Sequence, residues 1–142
     1  LTINQSHTIK PRIIFGFADE TLPLSQQFNF GGQSIFAGYR DYEFRGRQIF
    51  ISSLQYRYKL PFKIYFDTYI KLRYDIGSSW INQEKIRLDD LRHGIGLTVS
   101  FDTPIGPADF MVGRSLYLKD TSPKRILSRG PFMFYFTIGY YY

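Results

Sequence analysis

Apolar and polar positions alternate along most of this chain. The pattern is cleanest at its end, Phe132-Met133-Phe134-Tyr135-Phe136-Thr137-Ile138-Gly139-Tyr140-Tyr141-Tyr142. Every even position from Phe132 to Tyr142 is aromatic or Ile. Period two over this length predicts an extended strand with one wholly apolar face. The same reading predicts six strands, at about 8–19, 43–60, 62–77, 91–103, 107–118 and 131–142, and no helix of useful length. In the second, Phe50, Leu54, Tyr56, Tyr58 and Leu60 share a face with Ser52, and Gln55, Arg57 and Lys59 share the other. In the third, Ile64, Phe66, Thr68, Ile70, Leu72, Tyr74 and Ile76 alternate with Lys63, Tyr65, Asp67, Tyr69, Lys71, Arg73 and Asp75. The fourth sets Ile95, Leu97, Val99 and Phe101 against Gly94, Gly96, Thr98, Ser100 and Asp102. The fifth is carried by Phe110, Val112 and Leu116, and the first by Ile13, Phe15 and Phe17 against Arg12, Ile14 and Gly16.

The connections alternate as well. Those near 60–62 and 103–107 are short, whereas 20–42, 78–90 and 119–130 are long. Following the chain up and down puts the short ones on one side and the long ones on the other, the arrangement of an outer-membrane β-barrel. A soluble protein seldom exposes an aromatic strand edge like the last one, because it invites aggregation. In lipid, a strand of about 10 residues with one apolar face is what spanning requires. The competing reading is a soluble all-β, Tyr-rich binding module, whose sandwich strands alternate too. Six strands fall short of the smallest single-chain barrel, and an open sheet would leave two edges unpaired in lipid. The sheet is therefore expected to be completed by upstream strands of a longer protein. The absence of a visible signal peptide before Leu1 fits that expectation.

Composition sharpens this. Aromatics are 19% of the residues, 12 Tyr and 14 Phe against one Trp, the load expected of lipid-facing surfaces and interfacial girdles. Mean hydropathy is −0.23, and no apolar run approaches the roughly 20 residues of a spanning helix. Without Cys, disulfides, thiolate metal sites and thiol nucleophiles are excluded. The net charge of +6 is scattered over polar strand faces (Arg57, Lys59, Lys63, Lys71, Arg73) and connections (Lys119, Lys124, Arg125, Arg129). It forms no stripe, which argues against a nucleic-acid partner. The two histidines, His7 and His93, lack metal-ligand spacing, so neither a metal nor a cofactor is expected. His93 reads as a strand-end hydrogen-bonding residue, and Asp89-Asp90 as a solvated loop pair. If the second hairpin centres on Pro61, Gln55 faces Asp67 and Arg57 faces Tyr65, leaving Arg57 and Asp67 as a diagonal charge pair inside the barrel.

The longest loop carries Phe30-Gly31-Gly32-Gln33-Ser34-Ile35-Phe36-Ala37-Gly38-Tyr39-Arg40. Its glycines read as positions that need positive φ or close packing. Then come Tyr74-Asp75-Ile76-Gly77, Gly94-Ile95-Gly96-Leu97, the turn Thr103-Pro104-Ile105-Gly106-Pro107 and the terminal strand. In order and spacing this set, from about Phe28 to Tyr142, resembles the BamA-type superfamily of bacterial surface-antigen barrels. The resemblance implies an all-β, antiparallel transmembrane barrel, of which this chain would be the C-terminal portion, about six strands of a sixteen-stranded whole. It implies a bacterial outer-membrane location, with lipid and the outer-membrane assembly machinery as partners. It also implies that the loop segment Gly31, Gly32, Ala37, Gly38, Tyr39 and Arg40 folds into the lumen toward the strand acid Asp75.

The family's loop arginine, which pairs with that acid, aligns here with Ala37. A buried unpaired carboxylate is costly, so Arg40 is the expected substitute, with Arg45 or Arg47 next. The alternative is Asp75 facing a wet lumen beside Arg73 and Lys71. Phe136, Ile138, Tyr140 and Tyr142 resemble the C-terminal signal read by the assembly machinery. Ala37-Gly38-Tyr39-Arg40 with Arg45-Gly46-Arg47-Gln48 looks more like barrels attached to patatin-like phospholipase domains. No lipase is expected in this chain itself. A nucleophile elbow needs Gly-x-Ser-x-Gly, and Gly32-Gln33-Ser34-Ile35-Phe36 lacks the second glycine. The family implies protein insertion or translocation, or the anchoring and export of an attached passenger domain.

Overall fold

A computed structural model describes residues 2–4, 6–63, 65–81, 90–121 and 124–139. Among the described residues nine strands form: β1 (Thr2–Asn4), β2 (His7–Phe17), β3 (Phe28–Phe30), β4 (Phe44–Gly46), β5 (Gln48–Lys59), β6 (Thr68–Trp80), β7 (Arg92–Thr103), β8 (Gly106–Thr121) and β9 (Lys124–Ile138). Seven make one antiparallel sheet in the order β1-β2-β5-β6-β7-β8-β9, and β3 and β4 pair separately. The sheet does not close. Its edges are β1 and β9.

The six long strands are those the alternation predicts, and their faces divide as predicted. Ile13, Phe15, Leu54, Leu72, Leu97 and Phe134 all expose large apolar side chains on one face. Such a surface is far larger than a soluble monomer ordinarily tolerates. Its aromatics meet across strands, Phe110 with Phe136 at 4.7 Å and Phe15 with Phe50 at 5.0 Å between ring centroids. The opposite, inner face carries Arg12, Ser53, Arg73, Asp75, Gly94, Gly96 and Ser115, and the long loop after β2 lies on it.

Three boundaries differ from the pattern. The strand expected at about 43–60 begins at Gln48, because Phe44–Gly46 pairs with β3 inside the loop instead of joining the large sheet. The strand expected at about 62–77 begins at Thr68, because the β5–β6 connection is longer than a turn centred on Pro61 and bends through Tyr65 at φ 64°. Gln55 therefore pairs with Arg73 and Arg57 with Lys71, in place of Asp67 and Tyr65. The displacement is an even number of residues, so no side chain changes face.

The segment 119–130, expected as a long loop, is hairpin. β8 and β9 stay paired out to Thr121 and Lys124. A bulge lies between the pairs Arg114–Phe132 and Leu116–Arg129, so that Gly130 and Pro131 together oppose Ser115. That is where an extra residue and a missing N–H are tolerated. The 16 residues of β8 span roughly 53 Å, so even when tilted the hairpin extends past a hydrocarbon layer.

Candidate functional site

The loop between β2 and β5 carries a buried hydrophobic cluster. Backbone bonds tie its two ends to the sheet: Ala18 N–H donates to the Arg47 carbonyl at 2.9 Å, and Arg47 N–H to the Trp80 carbonyl at 3.0 Å. Inside it, β3 and β4 form a small hairpin with Phe30 opposite Phe44. Its tip holds one helical turn, α1 (Gly32–Ile35). Phe30, Phe36 and Tyr39 are buried; Phe30 and Tyr39 each meet both Phe36 and Phe44, in tilted and edge-on contacts with centroids 4.8–5.3 Å apart. Ile49 and Ile51 on β5 floor this cluster. The apolar content of the loop thus folds inward against the sheet.

Small residues let the loop approach so closely. Gly94 pairs with Asp75 on one side and Ser115 on the other. A Cβ at Gly94 would stand 2.2 Å from the Ala37 carbonyl oxygen. Gly38, at φ 80°, sits directly on β8, where a Cβ would fall 2.3 Å from the Arg114 carbonyl carbon.

Polar contacts then fasten the loop across the sheet. Asp75 is fully buried, and its Oδ2 accepts the Ala37 N–H at 2.7 Å. The same oxygen lies 2.9 Å from Arg73 Nε, an ion pair whose side chains are 0% and 10% exposed. From β2, Arg12 donates to the Ser34 carbonyl at 2.9 Å, the Ile35 carbonyl at 2.8 Å and Ser53 Oγ at 3.3 Å. From β9, Tyr135 Oη donates to the Tyr39 carbonyl at 2.6 Å, and Gln33 Nε2 donates to Thr137 Oγ1 at 3.1 Å. The loop is thus held from β2 at one side of the sheet to the edge strand β9 at the other.

Asp75 does face the loop, but its cation does not come from the loop. Arg40 is exposed, and its backbone N–H binds Glu43 Oε2 at 2.7 Å. Arg45 Nε donates to Asn29 Oδ1 at 3.0 Å, and none of Arg40, Arg45 or Arg47 pairs with Asp75. Arg73, two residues along the same strand and on the same face, fills that role. Neither is Asp75 a solvated lumen acid. Position 37 contributes its backbone N–H, and the arginine side chain expected from Arg40 is not what meets the acid.

The Arg57–Asp67 pair does not form. Asp67 meets Lys59 at 2.8 Å and Lys63 at 3.2 Å, while Arg57 lies 4.9 Å from the centroid of the Tyr69 ring. The Lys59 hydrogen bond, followed by that of Lys63, holds the Asp67 carboxyl below the usual carboxylate range. The longer connection causes the exchange, since it carries Asp67 past the end of β5 to the two lysines. Lys71 pairs with Asp109 across the inner face at 2.9 Å.

Phe136 and Ile138 are 57% and 53% exposed on the apolar face of β9, and Tyr140 and Tyr142 lie outside the described residues. His93 Nδ1 and Tyr74 Oη are 2.6 Å apart. Asp89 also lies outside the described residues. Among those described, no cluster of His, Cys, Asp or Glu could hold a metal ion. Arg12 and Arg73, the two arginines that grip the loop, carried no motif. Their signal was positional: each is a cation at an inward position, within two residues of the row that ends in Asp75.

No helix among the described residues is long and apolar enough to cross a membrane. An antiparallel sheet with an apolar outer face and a loop packed on its polar inner face is the architecture of an outer-membrane β-barrel protein. More particularly, the family model for the Omp85 superfamily domain matches residues 2–142, and the chain belongs to that superfamily of outer-membrane insertion and translocation proteins, which includes the BamA-type barrels its motifs resemble. No curated protein and no solved structure matches it.

Proposed function

We propose that this chain is the C-terminal portion of a larger barrel in a bacterial outer membrane, and that it works mechanically, with no catalytic step of its own. The observation that carries this reading is the loop fastened from Arg12 on β2 to Thr137 on β9 beneath a lipid-compatible outer face. Such a loop braces the wall and narrows the lumen. The free edge of β9 is the natural seam toward an upstream strand, since an unpaired edge cannot be satisfied in lipid. Phe136 and Ile138, with Tyr140 and Tyr142 beyond them, are the side chains an assembly machinery would read. With Ala37 in place of the loop arginine, anchoring and export of an attached passenger, patatin-like or other, is favoured over templating of incoming strands.

The test uses the full-length protein reconstituted in liposomes. Export predicts protease-accessible passenger on the far side of the bilayer and little stimulation of the folding of added barrel substrates. Efficient folding of added substrates with no translocated passenger would reverse that preference. A monodisperse, detergent-free monomer would sink the membrane reading in favour of a soluble binding module. Hydrolase activity residing in residues 1–142 would overturn the mechanical one.

A further inference from the structure

Beside the loop, the inner face holds a cavity of about 210 Å³ lined by Lys10, Arg12, Ser34, Ser53, Gln55 and Arg73. Two adjacent cross-strand rows build it. Lys10 pairs with Gln55 and Gln55 with Arg73, while Arg12 pairs with Ser53 and Ser53 with Asp75. Three cations from two strands thus face one space. Asp75 is the acid next to them: its Oδ2 accepts the Ala37 N–H and lies 2.9 Å from Arg73 Nε, while its Oδ1 is buried without a hydrogen-bond partner, so one carboxylate stands against three cations. Lys10 and Arg12 have no ion-pair partner among the described residues.

Arg73 itself is 8% exposed, and its Nη2 is buried without a hydrogen-bond partner. A buried guanidinium N–H left unmatched is costly, and three cations left together repel one another. Both penalties are relieved by one anion that accepts from several donors at once. Guanidinium forks match oxyanions, and the Gln55 amide and Ser53 hydroxyl add neutral donors.

The geometry points to a luminal binding site for an oxyanion of phosphate size and charge, held by Lys10, Arg12 and Arg73, whose occupancy strengthens the grip on the loop. Arg12 already holds the Ser34 and Ile35 carbonyls, and Arg73 lies 3.4 Å from the Ser34 carbonyl oxygen. Screening the repulsion between these two arginines steadies both.

The full-length protein, in maltoside detergent and chloride buffer at constant ionic strength, is titrated with inorganic phosphate. Thermal unfolding and tryptic cleavage after Arg40 are followed. A saturable rise in melting temperature with slower cleavage is expected. Lys10→Gln, at an exposed and unpaired position, should raise the dissociation constant about tenfold or more. Lys10→Arg should restore binding, and Lys63→Gln should leave it unchanged. A second arm replaces phosphate with short-chain phosphatidic acid in mixed micelles, against uncharged diacylglycerol. Saturation by inorganic phosphate assigns a free ion, and saturation by phosphatidic acid alone assigns a lipid headgroup. Saturation by neither, or a phosphate response that chloride reproduces or that Lys10→Gln leaves intact, overturns the site.

Discussion

Asp75→Asn tests the central contact of the inner face. The wild-type carboxylate is fully buried, with the Ala37 N–H at 2.7 Å and Arg73 Nε at 2.9 Å on one oxygen. Asparagine keeps a carbonyl oxygen for Ala37, so the loop hydrogen bond survives in neutral form and loses roughly 1 kcal/mol. The larger effect falls on Arg73, whose side chain is 10% exposed and then lacks its counter-charge. Removing one member of a buried pair costs about 3–5 kcal/mol. A total of about 4–6 kcal/mol raises the population of the released loop by roughly a thousandfold or more.

The assay is limited trypsin cleavage after Arg40 in the full-length protein under native conditions. There the rate follows the open population when opening and closing are fast. Arg73→Met combined with Asp75→Asn removes both charges, and should recover most of the loss because no unpaired charge stays behind. If Asp75→Asn is cleaved no faster than wild type, the buried pair does not hold the loop. If the double variant is no better than the single one, the loss is not electrostatic.

Gly94→Ala places a methyl about where the Ala37 carbonyl oxygen now sits, at 2.2 Å, so the loop must lift. Overpacking of about 1–3 kcal/mol is expected, read as faster cleavage after Arg40 with the barrel still resistant to detergent. Phe134→Arg, at a position 77% exposed on the outer face of β9, should destabilise the lipid-embedded protein by about 2–4 kcal/mol if it lies near the midplane. Phe134→Leu should change it by less than about 1.5 kcal/mol. Denaturant unfolding in bilayers measures both, and equal effects would remove lipid from that face. The Asp67 carboxyl is lowered by Lys59 and Lys63, so its contribution is present above its unfolded pKa of about 3.9 and fades as pH falls through the lower folded value. Protease nicking of the β5–β6 connection should therefore increase only below about pH 4, and Asp67→Asn should abolish that dependence.

The strands and their faces were legible because each is a local property. Phe110, Val112, Phe134 and Phe136 point outward wherever the chain pairs, and the positions between them point inward. The inward route of the loop came from the resemblance of the segment around Gly31, Gly32 and Gly38, and the burial of Phe30, Phe36 and Tyr39 is its physical reason. Its fastening was not. Pairing between Arg73 and Asp75 looks trivial in sequence, as two neighbours on one strand face. It matters only because the Ala37 backbone closes over them from 38 residues away. The expectation of a loop at 119–130 failed for a related reason. Polar residues there suggested a connection, whereas the partner strand extends the hairpin to Thr121 and Lys124.

By itself, the sequence determined that this chain makes long antiparallel strands with a lipid-compatible face, and the family to which its motifs point. Alternation follows from the backbone's two-residue repeat, which needs no partner to define it. The tertiary structure alone decided the register of β5 on β6, the cations that meet Asp75 and Asp67, and the cavity beside the loop. Those depend on where distant segments come to rest, as with Gln33 and Thr137, 104 residues apart. No local pattern encodes a contact of that separation; only the packed sheet with the loop upon it does.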